Sequence, residues 1–335
     1  MASEMNIPFL GKIPIDPKIC EDSDEGTPFI VEHRNSAAAK AFTETVKKIE
    51  RAVEKKGNRK SMRLIASTGG KGGTGKSTFA ILSALKFSNQ GNRVLLCDCD
   101  IECPNDHLLL GIELSEPEPI YQKFPELDAE KCISCGSCSK VCRENAIMWI
   151  EGRPPIFFED LCSGCGACWL VCPQNAIGTR KKIIGKTFES KISENLWLIT
   201  GMSEPNIAET GPVVKELKKR ALKLAEKIDA EILIIDTAPG THCNVIQALL
   251  GCEKAYIVTE PTPLGAHDAA LILELLKIMK IPSEIVLNKA DVGDQGIIKK
   301  IAEEYRIPIT IEIPYSEQLI RAYSEGRLDK VMDLI

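Results

Sequence analysis

Gly70-Lys71-Gly72-Gly73-Thr74-Gly75-Lys76-Ser77 is the stretch that decides the fold. It follows a short apolar run, 63–67, and precedes a helical pattern opening at Thr78. Strand, glycine loop and helix therefore come in the order a phosphate-binding loop requires. Glycines let successive backbone N–H groups turn inward around phosphate oxygens, where a Cβ would obstruct the approach. The helix N-terminus adds its partial positive charge. In this reading residues 70–78 hold the nucleotide, Lys76 reaches the β- and γ-phosphates of ATP, and the Ser77 hydroxyl holds Mg²⁺.

Working outward, short apolar runs alternate with helical patterns from Met62 onward, as in a βαβ sheet. Strands are expected at 63–67, 93–97, 196–200, 232–235, 255–258, 284–287 and 309–313, with helices at 213–227 and 267–279 among the segments between them. Residues 127–178 interrupt the alternation with cysteines and glycines and read as an inserted domain. The expected division is a leading segment and linker at 1–61, an ATPase domain at 62–126 and 179–335, and the insert. In the leading segment Ser36 can cap a helix bearing Phe42, Val46, Ile49 and Val53 on its apolar face and stopped by Gly57. Ile7, Pro8, Ile13, Pro14, Glu25 and Gly26 recur in the same spacing as Ile307, Pro308, Ile313, Pro314, Glu325 and Gly326. That repeat is either chance similarity between proline-bounded strands or a duplicated sheet-terminal strand and helix.

Fourteen cysteines in 335 residues is a high count. The first dozen residues lack a signal peptide's basic start and apolar core, so metal binding is favoured over disulfides. Cys132, Cys135, Cys138 and Cys142 form one run, and Cys162, Cys165, Cys168 and Cys172 a second. Three thiolates at this pitch wrap one cubane, and the fourth cysteine of each run ligates the other cluster. The pattern assigns Cys132, Cys135, Cys138 and Cys172 to one 4Fe–4S cluster, and Cys162, Cys165, Cys168 and Cys142 to another. Zinc competes, since paired Cys-x2-Cys spacings also suit tetrahedral sites, but two complete four-cysteine runs favour iron.

Lysine and arginine total 42 against 47 acidic residues, a net charge of −5. This gives no electrostatic reason to expect nucleic acid or an anionic membrane as partner. No apolar run reaches the roughly 18 residues of a membrane span, so the expected location is cytoplasmic. Aromatic content of 5% points to an aliphatic core, as in sheets covered by helices.

The glycine loop is closer to one family than to phosphate loops at large. Lys71-Gly72-Gly73-Thr74-Gly75-Lys76-Ser77 resembles the deviant Walker A motif of the MinD/Mrp/nitrogenase-iron-protein ATPases, and the resemblance runs from Met62 to the C-terminus. It implies that Lys71 reaches across a homodimer interface to the partner's nucleotide. Cys97-Asp98-Cys99-Asp100 looks like the family's first switch, with Asp100 orienting the attacking water. Asp236, ending an apolar strand, looks like the residue that serves Mg²⁺ through water. Asn288 matches the residue facing the adenine, and Pro314 joins it among the nucleotide-binding positions. Cys243, seven residues after Asp236, matches a cysteine that ligates a subunit-bridging cluster in the nitrogenase iron protein. A structural thiol is the competing reading there, as it is for Cys20 and Cys252.

Residues 127–178 resemble the two-cluster ferredoxins, departing from them at Arg143, where proline usually follows the fourth cysteine. Residues 10–28 look like the C-terminal end of Mrp-type iron–sulfur carrier ATPases. The implied fold is α/β, a mostly parallel P-loop sheet flanked by helices, carrying a ferredoxin-like α+β insert. The implied function is ATP-driven assembly or transfer of iron–sulfur clusters or metal cofactors to an acceptor apoprotein. An ATP-gated reductase feeding a partner metalloprotein is the alternative. A MinD-type positioning protein is the weakest reading, because the C-terminal segment mixes charges, is broken by Gly326, and leaves eight cysteines without a purpose.

Overall fold

A computed structural model describes residues 11, 12, 14, 16, 33–57, 62–207 and 209–331. The chain divides into two compact units, 1–61 and 62–335. In the first, α1 (Ala37–Gly57) begins where the Ser36 hydroxyl accepts the Ala39 N–H at 3.1 Å, satisfying one of the free donors of its first turn. Ala38 and Ala39 are buried, whereas Phe42 and Val46 are exposed. Cys20, most of the expected strand at 7–14 and the first copy of the repeat lie outside the described residues, as do the side chains of Ile49 and Val53.

The second unit runs β1 (Arg63–Thr68), α2 (Lys76–Asn89), β2 (Val94–Cys99), α3 (Asp106–Leu109), β3 (Glu118–Leu127), α4 (Ser137–Val141), β4 (Ile147–Met148) and β5 (Ile156–Phe157). It continues with α5 (Ala167–Leu170), β6 (Ile177–Lys191), β7 (Leu196–Ser203), α6 (Gly211–Lys227), β8 (Ile232–Thr237) and α7 (Cys243–Leu249). It closes with β9 (Lys254–Thr259), α8 (Pro263–Met279), β10 (Ser283–Asn288), α9 (Gln295–Tyr305), β11 (Ile309–Ile313) and α10 (Glu317–Ser324). A nine-stranded sheet takes the order β11-β10-β9-β1-β8-β2-β7-β6-β3, parallel from β11 to β7. Every residue of β2 and β8 is buried, as apolar strands covered on both faces must be. Leu64 and Ala66 of β1 pack with α6, α7 and α8, while Ile65 between them packs with Ala80, Leu82 and Leu85 of α2. The result is a three-layer α/β fold in which the C-termini of the parallel strands open at one edge.

The strand pattern left 118–127 and 177–191 unassigned, and there the chain forms a long antiparallel ribbon. β3 pairs with β6 from Glu118↔Thr187 to Leu127↔Ile177, and β6 pairs with β7. Pro119 and Pro125 disguise β3, because proline cannot donate within a ladder and is tolerated only where one side is free. β3 is the sheet's last strand, so its prolines sit where they are allowed. The C-terminal copy of the repeat is edge strand β11 followed by α10.

Residues 128–176 leave the sheet at Leu127 and return at Ile177, directly opposite it. Their two cysteine runs fold alike. Gly136 and Gly166, at φ 72° and 86°, cap α4 and α5 in the left-handed region that side-chain-bearing residues avoid. Ile147 and Ile177 meet Cys138 and Cys168 in a small apolar cluster. Among the described residues no helix is long and apolar enough to cross a membrane.

Lys218 on α6 is buried and donates from Nζ to the carbonyl oxygens of Ala248 and Leu250, at the C-terminal end of α7. A cation there satisfies carbonyls the helix leaves free and complements its dipole. Lys218→Met should therefore lower unfolding free energy by about 1–3 kcal/mol, read from urea denaturation at neutral pH. An unchanged midpoint would show that those carbonyls find other donors.

Candidate functional site

The glycine loop joins β1 to α2, and its bends need glycine. Gly73 and Gly75 stand at φ 80° and 95°, and a Cβ on Gly75 would overlap the Asn288 side-chain amide. Asn288 Nδ2 donates to Thr74 O at 2.9 Å, and Lys76 Nζ donates to Lys71 O at 2.9 Å. The loop is thus held in a cradle with the Lys76 ammonium inside it. A cleft above it is lined by Gly72, Gly73, Gly75, Lys76, Ser77 and Thr78 together with Asp100, Asn105, Asn288 and Pro314. Tyr315 and Tyr323, which the sequence did not mark, line the same cleft. Gly70 packs against the backbone of Asp268 on α8, leaving no room for a side chain. Lys71 is half-buried, and its ammonium has no carboxylate partner among the described residues.

Acidic groups gather beneath the loop. The Ser77 hydroxyl donates to Asp236 Oδ2 at 2.6 Å, while Asp236 Oδ1 is buried with no hydrogen-bond partner among the described residues. Asp98 accepts the backbone N–H groups of Asp100, Asn105 and Asp106 at 3.1–3.2 Å, which pins the loop after β2. Asp106, also unmarked by the sequence, is fully buried, and neither of its carboxylate oxygens has a partner among the described residues. Asp98, Asp106 and Asp236 bring oxygens within 4.8 Å of one another. Burial, reinforced by these neighbouring charges, pushes the Asp98 and Asp106 carboxyls well up. Burial pushes Asp236 up to about 7 against the opposing pull of Ser77 and Lys76. Burial lowers Lys76, with Asp236 and Asp100 acting against it. A serine hydroxyl beside an orphaned buried carboxylate oxygen is a donor set suited to a hard divalent cation, so these residues fit Mg²⁺.

The cysteines gather into two cavities. One is lined by Cys132, Cys135, Cys138 and Cys172, the other by Cys142, Cys162, Cys165 and Cys168. In each run the first and fourth thiols are half-buried, the second exposed and the third buried. Burial raises the thiol of Cys138 and takes that of Cys168 to about 11. Each first loop is braced through a carbonyl: Trp149 Nε1 donates to Ser134 O at 3.0 Å, and Gln122 Nε2 to Ser163 O at 2.6 Å. No sequence signal marked Gln122, a single polar residue on a disguised strand. Of the other cysteines, Cys97, Cys99 and Cys252 are buried in the sheet's core, while Cys103 is exposed on the loop after β2 and Cys243 at the start of α7. His242 and His267 are exposed.

A parallel sheet with a phosphate loop at its C-terminal edge, a buried aspartate facing the loop serine, and a lysine inside the cradle define a P-loop nucleotide-binding protein. The chain belongs to the CobQ/CobB/MinD/ParA nucleotide-binding domain family, whose sequence pattern matches residues 65–329. Residues 1–50 separately match the NUBPL iron-transfer P-loop NTPase family. An uncharacterized protein of Methanocaldococcus jannaschii is 38% identical over 266 residues, covering 79% of this chain and 90% of that one. The iron-sulfur cluster carrier protein of Aquifex aeolicus is 42% identical over 57 residues, 17% of this chain and 16% of its own. Among solved structures, the septum site-determining protein MinD of Pyrococcus horikoshii, complexed with Mg-ADP, is similar at 18% identity and a TM-score of 0.49, over 79% of this chain and 86% of that one.

The buried carboxylates make stability depend on pH in a definite direction. Their folded-state pKa values lie above the unfolded ones, so the folded state binds more protons and stability falls as pH rises between the two. Without nucleotide and Mg²⁺, the urea midpoint should drop from pH 5 to pH 8. Asp106→Asn should raise the midpoint at pH 8 and flatten the profile. A midpoint that rises with pH would contradict this electrostatic picture.

Proposed function

We propose that this protein is an ATPase of iron–sulfur cluster assembly and transfer, holding two 4Fe–4S clusters in its 128–176 insert. One observation carries the reading: on a chain with a complete P-loop site, eight cysteines fall into two cavities of four, each drawing three thiols from one run and the fourth from the other. That donor set fits a pair of cubanes in the manner of the two-cluster ferredoxins. Bound there, the clusters would supply one-electron redox chemistry. The match of residues 1–50 to an iron-transfer family and the relative named as a cluster carrier support a role in handing clusters to acceptor proteins.

In the nucleotide site Lys76 neutralises charge on the β- and γ-phosphates, Ser77 and Asp236 hold Mg²⁺, and Asp100 orients the attacking water. Lys71, whose ammonium has no carboxylate partner among the described residues, reaches the nucleotide of a second copy in an ATP-dependent homodimer. Cys243 is exposed at the start of α7, and in that homodimer it shares a bridging cluster with the second copy. The client is an apoprotein or metalloprotein met in the cytoplasm. A second reading, an ATP-gated electron donor, is favoured by the completeness of the cavities: four thiols for each cluster describe resident clusters better than cargo in passage.

Anaerobically purified protein should contain about eight irons per chain with matching sulfide. Stoichiometric zinc without iron after reconstitution would sink the cluster assignment. Lys76→Ala should abolish hydrolysis. Asp100→Ala should still bind ATP while hydrolysing it about 10²-fold or more slowly. Lys71→Ala should lose both hydrolysis and the ATP-dependent mass increase in light scattering, and full activity in a monomer would refute the dimer.

A further inference from the structure

The two cysteine loops are braced from different places. Ser134, between Cys132 and Cys135, is held by Trp149, a residue of the insert itself. Ser163, between Cys162 and Cys165, is held by Gln122, which belongs to β3 and hence to the nine-stranded sheet. Contact at this point is close. Gly164 turns at φ 67°, and a Cβ there would overlap the Gln122 amide. On the same side Glu159, just ahead of Cys162, is ion-paired with Arg180 and Lys182 of β6.

Hydrogen bonds also join this ribbon to the nucleotide cleft. Asp100 lines the cleft, and the carbonyl of the next residue, Ile101, accepts the Ser203 N–H at 2.8 Å at the end of β7. β7 pairs with β6 along 185–191, and β6 pairs with β3. Arg220 of α6 donates to Glu118 O, Pro119 O and the Thr187 hydroxyl, fixing the base of the ribbon to the helix layer. A shift of the Asp100 loop on gain or loss of the γ-phosphate therefore has a bonded route to Ser163 directly from the sheet, whereas among the described residues Ser134 is bonded to the insert's own Trp149.

We propose that Gln122 is a positioning residue that couples the nucleotide site to one cluster only, the one assigned to Cys142, Cys162, Cys165 and Cys168. The proposal rests on the cluster reading above and adds which cluster answers to ATP and through which side chain. The Gln122 donor sets the attitude of the 162–165 loop, and with it the N–H groups that face the sulfurs, which tune a cluster's potential. Two states of one loop, biased by the nucleotide, suffice for this coupling.

The test uses the anaerobically purified full chain with Mg-ADP and with a non-hydrolysable ATP analogue. Amide hydrogen exchange in 162–166 should change severalfold between the two nucleotides, while 132–136 stays constant. In the dithionite-reduced protein one of two cluster EPR signals should shift with nucleotide. Gln122→Met and Gln122→Glu, which both lose the N–H donor and the second of which keeps the shape, should abolish both differences and leave iron content and ATP binding unchanged. The proposal is overturned if both loops respond, if neither responds, or if either variant behaves as the natural protein does. Protein without iron would overturn the cluster reading instead, and the exchange measurement would still decide the role of Gln122.

Discussion

Leu127 and Ile177 face each other at the tip of an antiparallel ribbon, and everything else in the unit from Met62 onward depends on that closure. Because the insert leaves and returns at one point, the sheet can complete itself as if residues 128–176 were absent. The parallel core is then free to satisfy its own requirements, with apolar strands buried on both faces and helices covering them. The ribbon is also the insert's footing. Its far end merges with β7, whose neighbour β2 delivers Asp98 and Asp100 to the nucleotide cleft.

Much of the site was legible from sequence because its chemistry demands particular residues at fixed spacings. Gly73 and Gly75 must adopt backbone angles that side chains resist, so the phosphate loop announces itself. Two runs of four cysteines at one regular pitch stand out in the same way, and each cavity is lined by three thiols of one run and the fourth of the other. The core strands were readable because they are continuously apolar. The ribbon was not, since its edge position admits prolines and its outward face carries lysines, which erase the usual strand signals. Asp106 and Gln122 were invisible for a related reason. Each is a common residue type whose importance lies in what the fold brings opposite it, in one case other carboxylates and in the other a carbonyl on a distant loop.

Charge is what the two sites have in common. Beneath the phosphate loop, two of three buried aspartates, Asp106 and Asp236, have oxygens without a donor among the described residues, a state that a divalent cation and the nucleotide's own contacts would relieve. In the insert, buried thiols are held neutral by the same desolvation, and metal binding would release their protons. Either site would gain stability from what it bound, and binding at one would be felt at the other wherever the connecting backbone has two arrangements.

The account's central claim is that ATP serves the movement of iron–sulfur clusters, and one measurement addresses it directly. The protein is loaded with labelled iron and mixed anaerobically with Mg-ATP and an apo-ferredoxin, and the label is followed beside the redox state of a metalloprotein acceptor. ATP-dependent passage of label to the apo-ferredoxin, lost in Lys76→Ala, is the result this account predicts. Label retained on the protein while the acceptor is reduced in an ATP-dependent manner would contradict it.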